Sequence, residues 1–232
     1  MLYLHIKAPF AAFRTFTAGS FRPTAPFITP SAAYGLLMNI AGIETRRDDE
    51  KSVMTMLTND TPSLDVAIGA VSFPERQSMY QQLHNYPVGV SAKEREESCM
   101  GGKYNIQPVR REFLSGIDGC IAVRGNDEAE SNIRAGIKGA HSERRYGIPF
   151  LGDNAFMLDV IREVDRPIPA YWYVRLSRGD TGPKDKLSRL TVFIDRADMS
   201  LTVAPLFFPV EAATAEIPNE AWNKVGPRTH VN

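Results

Sequence analysis

Cations and aromatic rings alternate near the start of the chain, in the run APFAAFRTFTAGSFRPTAPF of residues 8–27. The first 43 residues contain no Asp or Glu, although the whole chain is neutral, with 27 basic and 27 acidic residues. A neutral protein attracts a polyanion only where its charges are locally segregated. This segregation predicts a surface for single-stranded RNA, on which cations meet phosphates and rings stack on bases. The residues that would form it are Arg14, Phe16, Ser20 and Arg22; the alternative is a hydrophobic loop with two solvated arginines.

A second basic cluster lies in the segment HSERRYGIPFLGD, residues 141–153. It places His141, Arg144, Arg145 and Tyr146 within six residues, and the glycines that follow permit close backbone approach. A guanidinium binds phosphate through two parallel hydrogen bonds, and a tyrosine ring stacks on a base. The segment therefore predicts further RNA contacts, although a solvated charge cluster at a helix C-terminus would have the same composition.

Metal-free RNA cleavage is the enzymatic alternative, because it needs only a histidine base and a cation or acid beside the phosphate. His84 with Tyr80, Tyr86 and Lys93 nearby, or His141 with Tyr146, would supply these groups. No spacing among them is specific, and the sequence contains no phosphate-binding glycine loop and no nucleophile elbow. The sequence therefore favours binding over catalysis.

The remaining bulk features narrow the class of protein. The two cysteines, Cys99 and Cys120, are not spaced as a zinc-binding pair and have no histidine cluster beside them. We therefore expect reduced thiols, no metal and no cofactor. No stretch approaches the roughly 18 apolar residues of a membrane span, so we expect a cytoplasmic protein that contacts no membrane.

The elements that must hold these residues begin with a strand, because residues 2–8 alternate between apolar and polar types. A helix follows in TPSAAYGLLMNIAG, which Thr29 can cap and Gly42 can end. The helix has one apolar face, which predicts that it packs on a sheet. Its first N–H groups, near Ser31, offer an anion site, but capping is the favoured role.

Three further strands are predicted at residues 64–73, 117–124 and 158–164, and a second helix is predicted at residues 126–140. Between the first two of these strands, the insertion 74–116 has two strand-like arms around a glycine-containing loop, which predicts a projecting β-hairpin. Its arms add Lys103, Arg110 and Arg111 to the candidate RNA-binding residues.

The order strand, helix, strand, insertion, strand, helix, strand predicts an α+β, ferredoxin-like domain over residues 1–165. Residues 166–232 contain the strand-like runs AYWYVRLS, LSRLTVFID and SLTVAPLFF, which predict a smaller β-rich extension. Residues 197–223 carry four acids and no base, so this part is unsuited to phosphates.

The N-terminal run YLHIKAPFAAFRTFTAGSFRPTAPFITPSAAYGLLMNIAGIE resembles the start of the Cas-five family of CRISPR proteins. The likeness is particularly to the DevS branch of that family in type I, I-B-like Cascade complexes. The matching features are the first strand, the APFA-x-FR turn, the TPSAAYGLL helix start and the later segment YGIPFLGDNAF. The resemblance spans the ferredoxin-like part, about residues 1–165.

This resemblance implies a non-catalytic, RNA-binding subunit that caps the 5′ handle of the guide RNA (crRNA) in Cascade. The insertion 74–116 would be the family's thumb hairpin, which touches the adjacent backbone subunit, and the chain would also contact the large subunit. Target DNA would be reached through the complex. Handle contacts would come from the loop with Arg14 and Arg22, from Arg110 and Arg111 at the thumb base, and from the second basic cluster.

Two settings in the family stay open. One branch is an endoribonuclease that processes precursor guide RNA with a Tyr, a His and a Lys, and that triad does not map cleanly onto this chain. Similar subunits also serve transposon-encoded Cascades. Within the N-terminal run, we predict that Phe10, Phe13 and the first helix build the core, and that the loop from Arg14 to Arg22 touches RNA.

Overall fold

The computed structural model describes residues 1–15, 20–47, 56–58, 60–83, 107–141, 147–177, 179, 182–196 and 198–227. The predicted site residues within these ranges are Arg14, Ser20, Arg22, Arg110, Arg111 and His141. Outside them lie Phe16, Lys103, Arg144, Arg145 and Tyr146, together with His84, Tyr86, Lys93 and the tip of the predicted hairpin.

Strands dominate the described chain. They are β1 (Leu2–Ala11), β2 (Phe21–Arg22), β3 (Arg46–Arg47), β4 (Met56–Leu57), β5 (Leu64–Ser72), β6 (Glu75–Leu83), β7 (Gln107–Arg124), β8 (Val160–Val164), β9 (Tyr171–Arg175), β10 (Ser188–Arg189), β11 (Leu206–Pro209) and β12 (Asn223–Val225). The α-helices of the described ranges are α1 (Pro30–Ile40) and α2 (Asp127–Ile137). Neither of these two helices is long and apolar enough to cross a membrane.

One sheet of ten strands organises the described chain. Its strands lie in the order β10-β11-β9-β5-β7-β1-β8, while β12 also pairs with β5, and β6 and β2 also pair with β7. The chain order β1, α1, β5, β6, β7, α2, β8 is the order that the sequence predicts, and the mixed α and β class is confirmed. The ferredoxin-like assignment within that class stays a prediction.

The core is built by alternation along the central strands. Successive residues of β5 enter different apolar clusters, because side chains alternate between the two faces of a strand. Val66 and Ile68 belong to the cluster that contains Leu37 of α1 and Ile133 of α2. Ala67 belongs to a second cluster, which includes the fully buried Trp172. The helices therefore cover one face of the sheet, and the second cluster lies on the other.

Helix α1 begins and ends where the sequence predicts. Thr29 Oγ1 accepts a hydrogen bond from the Ala32 N–H at 3.2 Å, and Gly42 follows the helix with a φ of 72°, in the left-handed region that glycine adopts readily. Capping, the favoured role of this helix start, is what the structure shows, whereas the alternative of an anion site does not hold at Ser31. The Ser31 N–H donates to the Thr191 carbonyl oxygen at 3.0 Å, so it is not available to a ligand.

Strand β7 is longer than the sequence predicts. It runs for 18 residues without a break. The sequence indicated one strand ending near Leu114 and another beginning at Ile117. Gly116 lies between them with a φ of 72°, and a glycine in this conformation lets the strand continue past a local irregularity. The first half of β7 pairs antiparallel with β6, from Ser115 opposite Glu75 onwards. The two arms of the insertion are therefore hydrogen-bonded strands that extend the central strand of the sheet.

The C-terminal strands join the same sheet. Strand β9 pairs with β5 through Gly69 opposite Trp172, and β12 pairs with β5 through Asn223 opposite Val66. Of the other two predicted runs, only β10 and β11 form ladders in this sheet. The hydrogen bonding thus continues from the first 165 residues into the extension, and the domain boundary proposed there stays a prediction.

Phe10 is not a core residue, and the prediction that it helps to build the core is wrong. Its side chain is 44% exposed, whereas that of Phe13 is buried. Phe10 lies opposite Ser115, in the half of β7 that forms the hairpin. It packs against the ring of Phe113 there, with the ring centroids 5.5 Å apart.

Helices α1 and α2 approach each other at Gly136, where a Cβ atom would overlap the carbonyl oxygen of Ile40. We expect Gly136→Ala to lower the free energy of unfolding by about 2 kcal/mol or more, because backbone must move to admit the methyl group. For a chain of this size, that change corresponds to a fall in melting temperature of about 4–8 °C.

Gly35→Ala is the matched control in α1, because a Cβ atom there meets nothing within 4 Å. We expect this exchange to raise the free energy of unfolding by about 0.5–1 kcal/mol through helix propensity. Thermal melting of both variants tests the helix contact, and equal effects of the two substitutions would contradict it.

Candidate nucleic-acid interface

The loop between β1 and α1 closes on itself at Arg14. Arg14 forms an isolated antiparallel bridge with Thr24. Beside this bridge, the Phe13 N–H donates to Thr24 Oγ1 at 2.9 Å, and the Ala25 N–H donates to the Phe13 carbonyl oxygen at 2.8 Å. Buried Phe13 thus anchors the two ends of the loop in the core, while the Arg14 side chain is exposed.

The outgoing arm of this loop is β2, which adds to β7 as a short parallel strand. Phe21 lies opposite Arg110, and Arg22 lies opposite Arg111. The Arg110 N–H also donates to the Ser20 carbonyl oxygen at 2.9 Å. The structure therefore brings the N-terminal basic loop and the base of the hairpin together, although they are far apart in the sequence.

The guanidinium of Arg110 is exposed and faces polar and aromatic groups. It donates to Ser78 Oγ at 3.3 Å, and its central carbon lies 5.8 Å from the centroid of the Phe21 ring. Among the described residues, neither Arg110 nor Arg14 forms an ion pair with a carboxylate. Both cations are therefore available to an anionic ligand.

Arg111 lies on the opposite face of β7 and is mostly buried, with 13% of its side chain exposed. One of its terminal nitrogens lies 2.7 Å from Asp153 Oδ2, and the other donates to Gln81 at 3.1 Å. Its guanidinium also covers the Phe156 ring at 5.2 Å. Arg111 therefore joins the hairpin to the loop that carries Asp153, and its charge is neutralised by that carboxylate.

Glu112 lies on the same face of β7 as Arg110, and its carboxylate already has partners. Its carboxylate accepts a hydrogen bond from the Thr24 N–H at 3.1 Å and lies 3.8 Å from Arg76 Nε. The hydrogen bond from Thr24 holds the loop against β7. Because Arg76 partly neutralises the Glu112 carboxylate, the charge around Arg110 stays positive.

His141 has a structural partner at the end of α1. Its Nε2 lies 3.1 Å from the carbonyl oxygen of Ile40, at the end of α1. The Asn39 side chain donates to the Gly147 carbonyl oxygen at 3.2 Å. Both described flanks of the second basic cluster are therefore anchored at the C-terminal end of α1, and its residues 144–146 lie outside the described ranges.

One known protein family has a sequence profile that matches this chain. The family whose sequence profile matches is described as CRISPR-associated protein (Cas_Cas5), and the match covers residues 1–137 of the 232. The chain belongs to this family. The match includes the basic loop, both arms of the hairpin and α2, and it confirms the family resemblance seen in the N-terminal run. The I-B-like subtype stays a prediction.

The fold of this Cas5 chain is shared with a chain of one solved complex. It is similar to a chain of a CRISPR RNA-guided surveillance complex, with a TM-score of 0.52, 17% identity and 95% of each chain covered. It also aligns with a crystal structure of a Cas protein, with a TM-score of 0.45, 14% identity, and 94% and 97% of the two chains covered. At 17% identity, the likeness to the surveillance-complex chain shows a common fold. No curated protein matches the chain by sequence.

Two exposed rings of this Cas5 chain were not among the predicted RNA-binding residues. Tyr80 of β6 is 82% exposed and lies opposite Arg110. Phe21 of β2 is 44% exposed and lies opposite Arg110 on the other side of β7. The hairpin pattern could have placed Tyr80 near Arg110 to within a residue or two. The parallel pairing that brings Phe21 there has no local sequence signal, because β2 has only two residues.

A histidine–carboxylate pair between β1 and β7 is a further cluster, among the described residues, with catalytic types of side chain. His5 Nε2 lies 2.7 Å from Asp118 Oδ1, and an Arg162 nitrogen lies 3.3 Å from His5 Nδ1. The carboxylate accepts and the guanidinium donates, so both ring nitrogens are used and His5 is 94% buried, with a relative exposure of 6%. Neither nitrogen is free to accept a proton from a substrate hydroxyl.

We expect Asp153→Asn to lower the free energy of unfolding by about 1–3 kcal/mol, because it leaves the mostly buried Arg111 without its counterion. Glu44→Gln is the control, since that carboxylate pairs with Arg46 at 2.9 Å where both side chains are about half exposed. The exposed pair should contribute less than about 1 kcal/mol. Urea unfolding measures both, and equal losses would show that burial does not strengthen the Arg111 contact.

The carboxylate of Asp118 should make stability depend on acid pH. Partial burial acts to raise its pKa, but hydrogen bonds from Lys7 and His5 outweigh that effect and hold the pKa below its ordinary value. The ionised form therefore stabilises the fold above the unfolded pKa of about 3.9, and this contribution is lost as pH falls through the lower folded pKa. Asp118→Asn should be less stable than wild type at pH 7, by a margin that shrinks at pH values below about 4.

Denaturant unfolding at several pH values measures that margin. Asp60→Asn is the control, because Asp60 is exposed and its exchange should change stability little at any pH. A margin for Asp118→Asn that stayed constant into strong acid would contradict the assignment.

Proposed function

We propose that this Cas5-family chain is a non-catalytic, RNA-binding subunit of a type I CRISPR surveillance complex, in which it binds the 5′ handle of the guide RNA. The observation that carries the proposal is the junction of the basic loop with the hairpin base. There Arg14 bridges Thr24 where the basic loop closes, and β2 pairs with β7 beside the exposed cation Arg110. Phosphates require such cations, and unpaired nucleotides also use the rings beside them.

The similar chain from a CRISPR RNA-guided surveillance complex supports the setting. An RNA-guided complex must hold a single RNA in a defined register, and contacts to phosphates fix register without reading sequence. The handle, the adjacent backbone subunit at the hairpin 74–116, the large subunit and an I-B-like subtype enter the proposal through the family resemblance. A cytoplasmic location belongs to the same proposal.

Two described histidines support binding over cleavage. A general base must have a ring nitrogen within hydrogen-bond reach of the substrate hydroxyl. His5 has both nitrogens engaged by charged neighbours. His141 has its Nε2 on the Ile40 carbonyl oxygen, at the end of α1.

We expect Arg14→Ala to weaken binding of the repeat-derived RNA and to lower the slope of log affinity against log salt by about 0.7, as loss of one phosphate contact on a single strand does. The measurement is a salt titration of RNA binding by the full chain. Arg189→Ala is the control, because it removes an exposed arginine on β10, at the far end of the sheet order from β7.

An unchanged slope for Arg14→Ala would remove Arg14 from the interface, and equal slopes for both variants would mean a non-specific surface. The same preparation tests catalysis. Incubation of wild-type chain with repeat RNA in EDTA should leave the RNA intact, whereas specific cleavage with a 2′,3′-cyclic phosphate end would overturn the non-catalytic assignment.

A further inference from the structure

Three neighbouring strands place an aromatic ring, a cation and a second aromatic ring in one row. Arg110 of β7 has Tyr80 of β6 opposite it on one side and Phe21 of β2 opposite it on the other. Residues paired in this way have side chains on the same face of the sheet. All three side chains are exposed, Tyr80 by 82% and Phe21 by 44%. We call these three residues the hairpin row.

Phe21 and Ser78 hold the central cation of the hairpin row. The guanidinium of Arg110 lies 5.8 Å from the Phe21 ring centroid, which is within the range of a cation–π contact. Its hydrogen bond to Ser78 Oγ, at 3.3 Å, fixes it from the β6 side. Tyr80 forms no hydrogen bond or ring contact among the described residues, so its ring is open to a ligand.

We infer that Tyr80 stacks on one unpaired nucleobase of the bound RNA while Arg110 binds the adjacent phosphate. The inference rests on the proposed RNA-binding function and adds to it a base-stacking site that neither the family match nor the resemblance assigns. Neighbouring strands lie about 4.8 Å apart, so Tyr80 and Arg110 start from adjacent backbone positions, which suits a base and a phosphate of the same RNA strand. Stacking does not select a base, because every base has a π-face.

An RNA fits the hairpin row better than a protein partner does. The exposed β6 residues on the same face as Tyr80 include Ser78 and Gln82, which are polar. Protein interfaces instead concentrate apolar groups at a desolvated centre. The opposite face of the same hairpin has the apolar rings of Phe10 and Phe113 and a neutralised arginine. The row is therefore the cationic and polar side of a two-sided hairpin.

The test uses short single-stranded RNAs from the repeat, each with 2-aminopurine at one position, bound to the full chain. We expect the fluorescence of 2-aminopurine to be quenched at one position by stacking, and Tyr80→Ala to restore it. Tyr80→Ala should weaken binding about 5- to 150-fold, the loss expected for one base–aromatic stack. Its salt slope should equal that of wild type, because no phosphate contact is removed. Tyr80→Phe should keep both quenching and affinity.

Arg110→Ala separates the two parts of the row, because it should lower the salt slope by about 0.7. Met79→Ala is the matched control: Met79 is the adjacent exposed residue of β6, and its side chain lies on the other face, opposite Arg111. It should bind RNA like wild type. Since Tyr80 is so exposed, its variants should melt at the wild-type temperature.

The outcomes distinguish this inference from the function on which it rests. If wild type binds no RNA, the proposed function fails and the inference fails with it. If wild type binds with a normal salt slope but Tyr80→Ala matches it in affinity and fluorescence, only the stacking site is overturned. Unchanged RNA binding with loss of copurifying protein subunits in Tyr80→Ala would likewise overturn it, by showing the row to be a protein contact.

Discussion

The backbone ladder of β7 is the constraint on which the rest of the structure depends. Its second half is the centre of the sheet, where Ile121 and Val123 are buried between β1 and β5. Its first half leaves the core and becomes one arm of the hairpin, with β6 on one side and β2 on the other. Because the strand does not break between the halves, the direction of the hairpin is set by the same hydrogen bonds that build the core.

Alternation along this strand gives two adjacent arginines different roles. Arg110 lies on the exposed side and forms no ion pair with a carboxylate among the described residues. Arg111, the next residue, lies on the other side, where Asp153 neutralises it and the Phe156 ring covers it. Desolvating an arginine is costly unless it is paired. The mostly buried Arg111 is paired with Asp153, and this ion pair holds the hairpin against the loop. Counting cations in the sequence alone would treat the two as equivalent.

Local signals in the sequence were sufficient for much of the fold. The caps of α1 and α2 and the period of β1 depend on neighbours within a few residues. Thr29 caps α1 as expected, and Asn126 caps α2. The candidate site was only partly predictable, because it is made by pairing between distant segments. No local pattern shows that Phe21 lies beside Arg110, or that Asp153 lies on Arg111. Phe10 was assigned to the core on its residue type, whereas its position on the projecting half of the sheet decides its exposure.

The unbroken β7 also joins ligand binding to the folding equilibrium. A ligand that binds only the folded chain adds stability by mass action, about 2.7 kcal/mol at a concentration one hundred times its dissociation constant. A ligand on Arg110 holds the same strand whose other half is the core, so this increment reaches the whole sheet and not the hairpin alone. Domains of this kind are stable by only about 5–15 kcal/mol. The population of folded chain would therefore follow the supply of its ligand, and copies left without one would be the first that a protease removes.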